Sequence, residues 1–122
     1  MTNYTITSKT DTQSTLSAVT INTTYNIINL TAQTADYIPE VYLDLSNMAS
    51  GDTTIVSEYI SVDGTNLKLY YQYTFTNAQT LPVQRFHGKL LELNMLYRVT
   101  LQQTAGTGRA YPYSSVVQVF SA

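Results

Sequence analysis

The sequence predicts an all-β fold, a single antiparallel β-sandwich of jelly-roll or immunoglobulin-like type with about seven to nine strands. Apolar residues recur at every second position over long stretches, and turns containing Gly or Pro separate these stretches. A length of 122 residues suits one domain with one core. We therefore expect a single domain over residues 1–122. Its Thr/Ser-rich segment 1–17 is either an N-terminal arm that docks on a neighbour or an ordinary first strand.

The clearest alternation runs from Leu67 to Phe75, and it predicts a strand with one face on the core. A second alternation, from Leu91 to Leu101, is longer than an average strand, so we predict a bend or break near Asn94. Shorter strands are predicted at about 16–21, 25–30, 41–45, 56–62 and 113–120. Glu58 interrupts the apolar face of one of them, which indicates an edge strand or an interface.

Turn residues separate the predicted strands. Asp63-Gly64 predicts a tight hairpin, because Gly accepts the positive φ that such turns need. Ala49–Asp52 predicts a second turn, and Gly106–Gly108 predicts a flexible link before the last strand. Only residues 90–95 would suit a helix, of one or two turns.

The composition argues against several classes of partner. Only 11% of residues are charged, against about 25% in an average domain. The six Lys and Arg residues form no cluster, so nucleic acid is not expected as a partner. Without Cys, disulfides and thiolate metal sites are excluded. We expect neither a signal peptide nor a membrane span, because no basic start precedes an apolar run of about 20 residues.

Catalytic and metal-binding patterns are weak. His87 is the one histidine, so neither a catalytic triad nor a zinc site is expected. Asp44, Ser46, Asn47 and Asp52 surround one turn and offer oxygen ligands for calcium, or else they close the turn by local hydrogen bonds. We expect a non-enzymatic protein without a cofactor.

Tyrosine dominates the aromatic residues, with 11 Tyr and no Trp. Tyr packs its ring while keeping its hydroxyl in water, and it is favoured in protein interfaces. The predicted interface residues are Tyr42, Tyr59, Tyr70, Tyr111 and Glu58. In a carbohydrate-binding module the same four tyrosines would form a flat, exposed platform.

Two stretches carry a resemblance to a known group of proteins. One comprises Leu43–Met48, Gly51–Thr53 and Val62–Asn66, and the other comprises Tyr97–Gly106, Tyr113 and Val119. Together they resemble small all-β structural proteins of virus particles, of the capsid decoration or minor capsid type, from phages and archaeal viruses. The resemblance extends over roughly residues 40–120 and lies in the general character of the sequence and of its turns, not in a diagnostic motif. No functional residue is transferred from it.

This resemblance implies a location at the virion surface. It also implies a homo-oligomer, such as a trimer, and a major capsid protein as partner. Two other classes remain open. One is a carbohydrate- or receptor-binding β-sandwich module, of fibre-tip or lectin-like type, with a glycan as ligand. The other is a filament subunit assembled by donor strands, which predicts an incomplete sandwich.

Overall fold

The computed structural model describes residues 5–31 and 33–121, and all regular structure in these ranges is β-strand. The strands are β1 (Ile6–Leu16), β2 (Thr24–Leu30), β3 (Tyr37–Asp44), β4 (Thr53–Ser61), β5 (Lys68–Thr76), β6 (Val83–His87), β7 (Leu96–Ala105) and β8 (Tyr111–Phe120). Every strand pairing is antiparallel. The predicted all-β class is confirmed. Over the described ranges, the chain contains no helix that is long and apolar enough to span a membrane.

The strands form two four-stranded sheets, which we name sheet A (β1-β8-β3-β6) and sheet B (β2-β7-β4-β5). The pairs β1/β8, β2/β7, β3/β6 and β4/β5 each join strands that lie equally far from the two ends of the strand series. The strand pairing is therefore nested: the first strand pairs with the last, and each further pair lies within the previous one along the chain. The pairs β3/β8 and β4/β7 complete the two sheets and leave β1, β6, β2 and β5 as edges.

The core is built from alternate residues of both sheets. Val41 and Leu43 of β3 are fully buried together with Val56 of β4 and with Val99 and Leu101 of β7. Because strand side chains alternate between faces, these residues point inward while their neighbours point outward. The period-two signal in the sequence therefore identified the core face of β3 and β7, and the two sheets form a sandwich-like arrangement.

The predicted inner face of β5 is only half correct. Tyr73 and Phe75 pack against the core, but Leu69 and Tyr71 are each 53% exposed. The strand lies at the edge of sheet B, and its register with β4 shifts between Glu58 and Tyr59. A bulge at an edge bends the strand and changes which way its side chains point. For this reason the expectation that Leu69 faces the core is wrong, since Leu69 pairs with Tyr59 on the outer face. Tyr71 instead pairs with the inward-facing Glu58 and stacks on Tyr73, so it lies on the predicted face but stays exposed because β5 is an edge strand.

The first strand lies earlier than predicted. β1 covers Ile6–Leu16 and pairs with β8, whereas the expected strand at 16–21 is mostly loop. All residues of β1 are exposed except the half-buried Leu16. A strand with neither face buried needs no apolar alternation, so periodicity gave no signal for it. Residues 6–16 of the predicted arm are thus a strand within this chain, and residues 1–4 of that arm lie outside the described residues.

Several predicted turns are confirmed. Gly51 (φ 89°) and Gly64 (φ 78°) adopt the left-handed conformation that favours glycine. Asn94 also has a positive φ of 68°, and β7 begins at Leu96, so the predicted break in the long alternation is present. The tight hairpin predicted at Asp63-Gly64 is wrong, because β4 ends at Ser61 and β5 begins only at Lys68. Asp63 holds this longer loop by accepting backbone hydrogen bonds at 2.8 Å from Thr65 and Asn66. These bonds hold the pKa of Asp63 well below its usual range.

Candidate functional site

A shallow trough with a volume of about 460 Å³ crosses the outer face of sheet A. Ser114 of β8 pairs with Gln13 on one side and with Tyr42 on the other, so its small side chain forms the floor between two larger ones. Thr15, Asp44, Val83 and Pro112 extend the trough towards one end of the sheet. The trough therefore extends across all four strands of sheet A.

The trough combines one aromatic ring with several polar groups. Tyr42 is 37% exposed, and its hydroxyl donates a hydrogen bond to Glu40 at 3.2 Å. The Gln13 amide, the Ser114 hydroxyl and the Asp44 carboxylate line the same depression. An aromatic face beside hydrogen-bonding groups suits a small polar ligand or a segment of another protein.

A buried carboxyl group lies inside the sandwich. Glu58 in the middle of β4 is 2% exposed, although the sequence predicted it at an edge or interface. This prediction is wrong, because β4 is a central strand and the carboxylate accepts hydrogen bonds from the hydroxyls of Tyr97 (2.8 Å) and Tyr73 (3.4 Å). Burial raises the pKa of Glu58 above its ordinary value, against the opposing effect of these hydrogen bonds and of the charge on Lys89.

Aromatic rings connect this carboxyl group to the β5 edge. The ring centroids of Tyr97 and His87 are 5.0 Å apart, and those of His87 and Tyr70 are 6.1 Å apart. The ring centroids of Tyr70 and Tyr71 are 4.7 Å apart. A positive φ of 68° at His87 ends β6 and accompanies the contact of its ring with Tyr97. Burial and the nearby Lys89 lower the pKa of His87, so its neutral form is favoured. Sequence reasoning missed this cluster because its members come from four strands.

The predicted interface tyrosines do not form one surface. Tyr42 lies in the trough on sheet A, whereas Tyr59 and Tyr70 belong to sheet B, where Tyr59 pairs with Arg98 on the outer face. Tyr111 is fully buried, and its hydroxyl bonds to Thr54 at 2.7 Å. The expectation that the Tyr111 ring is exposed is wrong, since its hydroxyl is satisfied inside the domain. No shared platform results.

Side chains proposed as calcium ligands take part in hydrogen bonds within the chain. Asp44 accepts a bond from the Ser46 N–H at 2.8 Å and so closes a local turn. Asp52 is instead buried against Arg109, with Nε of Arg109 at 2.7 Å from the carboxylate. Across residues 5–31 and 33–121 there is no group of three His, Cys, Asp or Glu placed to hold a metal ion. The contacts thus favour turn closure over calcium binding.

Comparison with known proteins adds no relative. The chain matches no protein-family model, no curated protein and no solved structure.

Proposed function

We propose that this domain is a jelly roll and acts as a non-enzymatic structural protein of a virus particle, where it decorates or stabilises the capsid. The observation that carries this proposal is the nested pairing of β1/β8, β2/β7, β3/β6 and β4/β5 across two four-stranded sheets. A jelly roll is an eight-stranded, two-sheet fold found in viral capsid and lectin domains. The immunoglobulin-like alternative has a different division of strands, with three on one sheet in its seven-stranded form.

The loops at one end of the sandwich favour contact with another protein. The backbone N–H of Asn94 donates to the Gln33 carbonyl at 3.0 Å, which joins the β6–β7 loop to the β2–β3 loop. A Cβ built on Gly64 would lie 3.0 Å from the Asn94 carbonyl, so the β4–β5 loop reaches the same place. These loops carry Val62 (82% exposed) and Leu93 (48% exposed). Apolar side chains gathered at one tip suit a protein partner.

The partners in this proposal are further copies of the chain, as a trimer or larger assembly, and a major capsid protein at the virion surface. Few charges means few groups to desolvate when such a contact forms. No nucleic acid, membrane or cofactor enters the proposal.

Native mass tests this proposal. Light scattering after size exclusion is expected to give a trimer or larger assembly of the 13.6 kDa chain. Because a decorating protein acts through repeated contacts, assembly should persist on dilution into the micromolar range. A clean monomer at all concentrations would count against the structural role and favour a ligand-binding module.

The trough favours glycan binding as a second candidate function. Tyr42 supplies a ring face, and Gln13, Asp44 and Ser114 supply donors and acceptors. If the trough binds sugar, a hit on a glycan array should weaken about tenfold or more in Tyr42→Ala, because ring contact is lost. Tyr59→Ala, on the other sheet, is the matched control and should bind normally. Equal weakening in both variants, or binding unaffected by Tyr42→Ala, would refute a sugar site in the trough.

A filament subunit assembled by donor strands is the less favoured alternative. Such a subunit needs an unfilled strand position that a neighbour occupies. Here the first and last strands pair with each other over their length, from Ile6 with Phe120 to Leu16 with Tyr111. We therefore retain the structural and glycan-binding proposals.

A further inference from the structure

The free edge of β1 has the features of a strand that pairs with another strand. β1 runs over 11 residues, whereas a common strand length is about five to six. Its one partner strand in the described chain is β8, so its opposite edge presents backbone N–H and C=O groups to solvent. Residues 6–15 are all exposed, which shows that sheet B does not extend beneath β1. Another strand can therefore approach this edge without displacing any part of the core.

Two opposite charges, on Lys9 and Asp11, flank Thr10 in this strand. Lys9 and Asp11 pair with Gln118 and Val116, so they lie on the outer face with Thr10 between them on the inner face. Their side chains form a salt bridge at 3.3 Å and are 55% and 54% exposed. A lysine at a sheet edge normally opposes pairing with other edges. Here an acidic residue two positions away balances it.

We infer that β1 pairs antiparallel with β1 of a second copy about a two-fold axis at Thr10, joining two copies of sheet A into one continuous sheet. In an antiparallel pair, directly opposite residues share a face. With the axis at Thr10, Lys9 of each copy lies opposite Asp11 of the other. Each contact then contains two opposite-charge pairs, related by symmetry.

The charge pattern also selects this register over its neighbours. With the axis at Lys9 the two lysines face each other, and with the axis at Asp11 the two aspartates do. Like charges directly opposite each other destabilise a strand pair. On the inner face the selected register places Ser8 opposite Thr12 of the second copy, and such hydroxyl pairs hydrogen-bond across strands. Thus both faces of β1 are complementary to a copy of β1 in one register.

This contact is a self-interaction that would serve the proposed virion role. The inference rests on that role, because a virus particle supplies the high local concentration of copies. The favourable free energy of this contact comes from backbone hydrogen bonds and charge pairs, because β1 offers little apolar surface. A single contact should be weak, and repeated copies in a particle would strengthen it by multivalency. Being two-fold, it differs from the contacts that would build a trimer and would link neighbouring oligomers.

Cysteine cross-linking tests the register, and the absence of natural Cys makes each introduced thiol unique. In Thr10→Cys the two thiols lie opposite each other across the axis, within disulfide range. In the control Thr12→Cys, on the same face of β1, the thiols lie about 13 Å apart, because Thr12 faces Ser8 of the second copy. We expect disulfide dimers to form at least about tenfold faster in Thr10→Cys. Equal rates would overturn the inference.

Charge reversal gives an independent readout by sedimentation of the untagged chain over a concentration series. Asp11→Lys replaces both opposite-charge pairs by like-charge pairs and should weaken dimerisation about tenfold. The double variant K9D/D11K restores opposite pairs and should recover the wild-type dissociation constant. If the wild type assembles but neither variant changes its mass, the β1 contact is refuted while the structural role stands. If the β1 contact is present without a larger assembly, the role fails and the contact stands.

Discussion

Replacement of Asp52 by alanine is expected to lower the free energy of unfolding by about 3 kcal/mol. The Asp52 side chain is 1% exposed, and its carboxylate accepts hydrogen bonds from the N–H groups of Ala49 (2.9 Å) and Thr107 (3.2 Å) and from Nε of Arg109 (2.7 Å). Alanine leaves these donors without their acceptor, and the cost of unsatisfied buried donors exceeds the net value of the bonds. Urea denaturation of wild type and variant at pH 7 measures the difference.

The same carboxylate makes stability depend on pH in the acid range. Burial alone would raise the pKa of Asp52, but the bonds from Arg109 and from the Ala49 and Thr107 N–H groups bring it below its ordinary value. A depressed pKa contributes stability above the unfolded-state value of 3.8, and this contribution is lost as the pH falls through the folded-state pKa.

The stability difference between Asp52→Ala and wild type should therefore be larger at pH 7 than in strong acid. Glu92→Ala is the matched control, because it removes a carboxylate from an exposed loop position and should change stability little. A variant of Asp52 with wild-type unfolding midpoints at neutral pH would contradict this account of the buried pair.

Replacement of Glu58 by glutamine is expected to raise the free energy of unfolding by about 1 kcal/mol at pH 8. Glutamine has nearly the same shape, and its carbonyl oxygen can still accept the bond from the Tyr97 hydroxyl, which lies 2.8 Å from the Glu58 carboxylate. Burial raises the pKa of Glu58, so the folded state holds its proton more tightly than the unfolded state. The Glu58 side chain therefore contributes most to the stability of wild type below the unfolded-state pKa. This contribution is lost as the pH rises through the folded-state pKa.

Urea denaturation at pH 4, 6 and 8 tests this sign. The stability of Glu58→Gln relative to wild type should increase between pH 4 and pH 8, whereas Glu92→Gln, at an exposed loop position, should follow wild type throughout. A Glu58→Gln variant that is less stable than wild type at pH 8 would mean that the ionised carboxylate is favoured by Tyr73, Tyr97 and Lys89 despite its burial.

Among the candidate sites, the sequence anticipated single residues and not their surroundings. Tyr42 was predicted as a surface contact, and it lies in the trough beside residues of β1, β6 and β8. Glu58 interrupts an apolar alternation, which predicts an edge strand or an interface, but the structure buries this residue in a central strand. A carboxylate among inward-facing residues signals either an exposed face or a buried group with partners, and the partners Tyr73 and Tyr97 come from other strands.

Local features were readable in the sequence because they depend on neighbouring residues alone. Alternation marked the inward faces of β3 and β7, and Gly51 and Gly64 marked turns that need a positive φ. Strand pairing was not readable, since it joins residues as distant as Ile6 and Phe120. The position of β1, the nested strand order, the burial of Tyr111 and the trough all follow from that pairing. Only the tertiary structure decides these features, because the partner of a strand depends on side chains that are distant in the sequence and pack against its two faces.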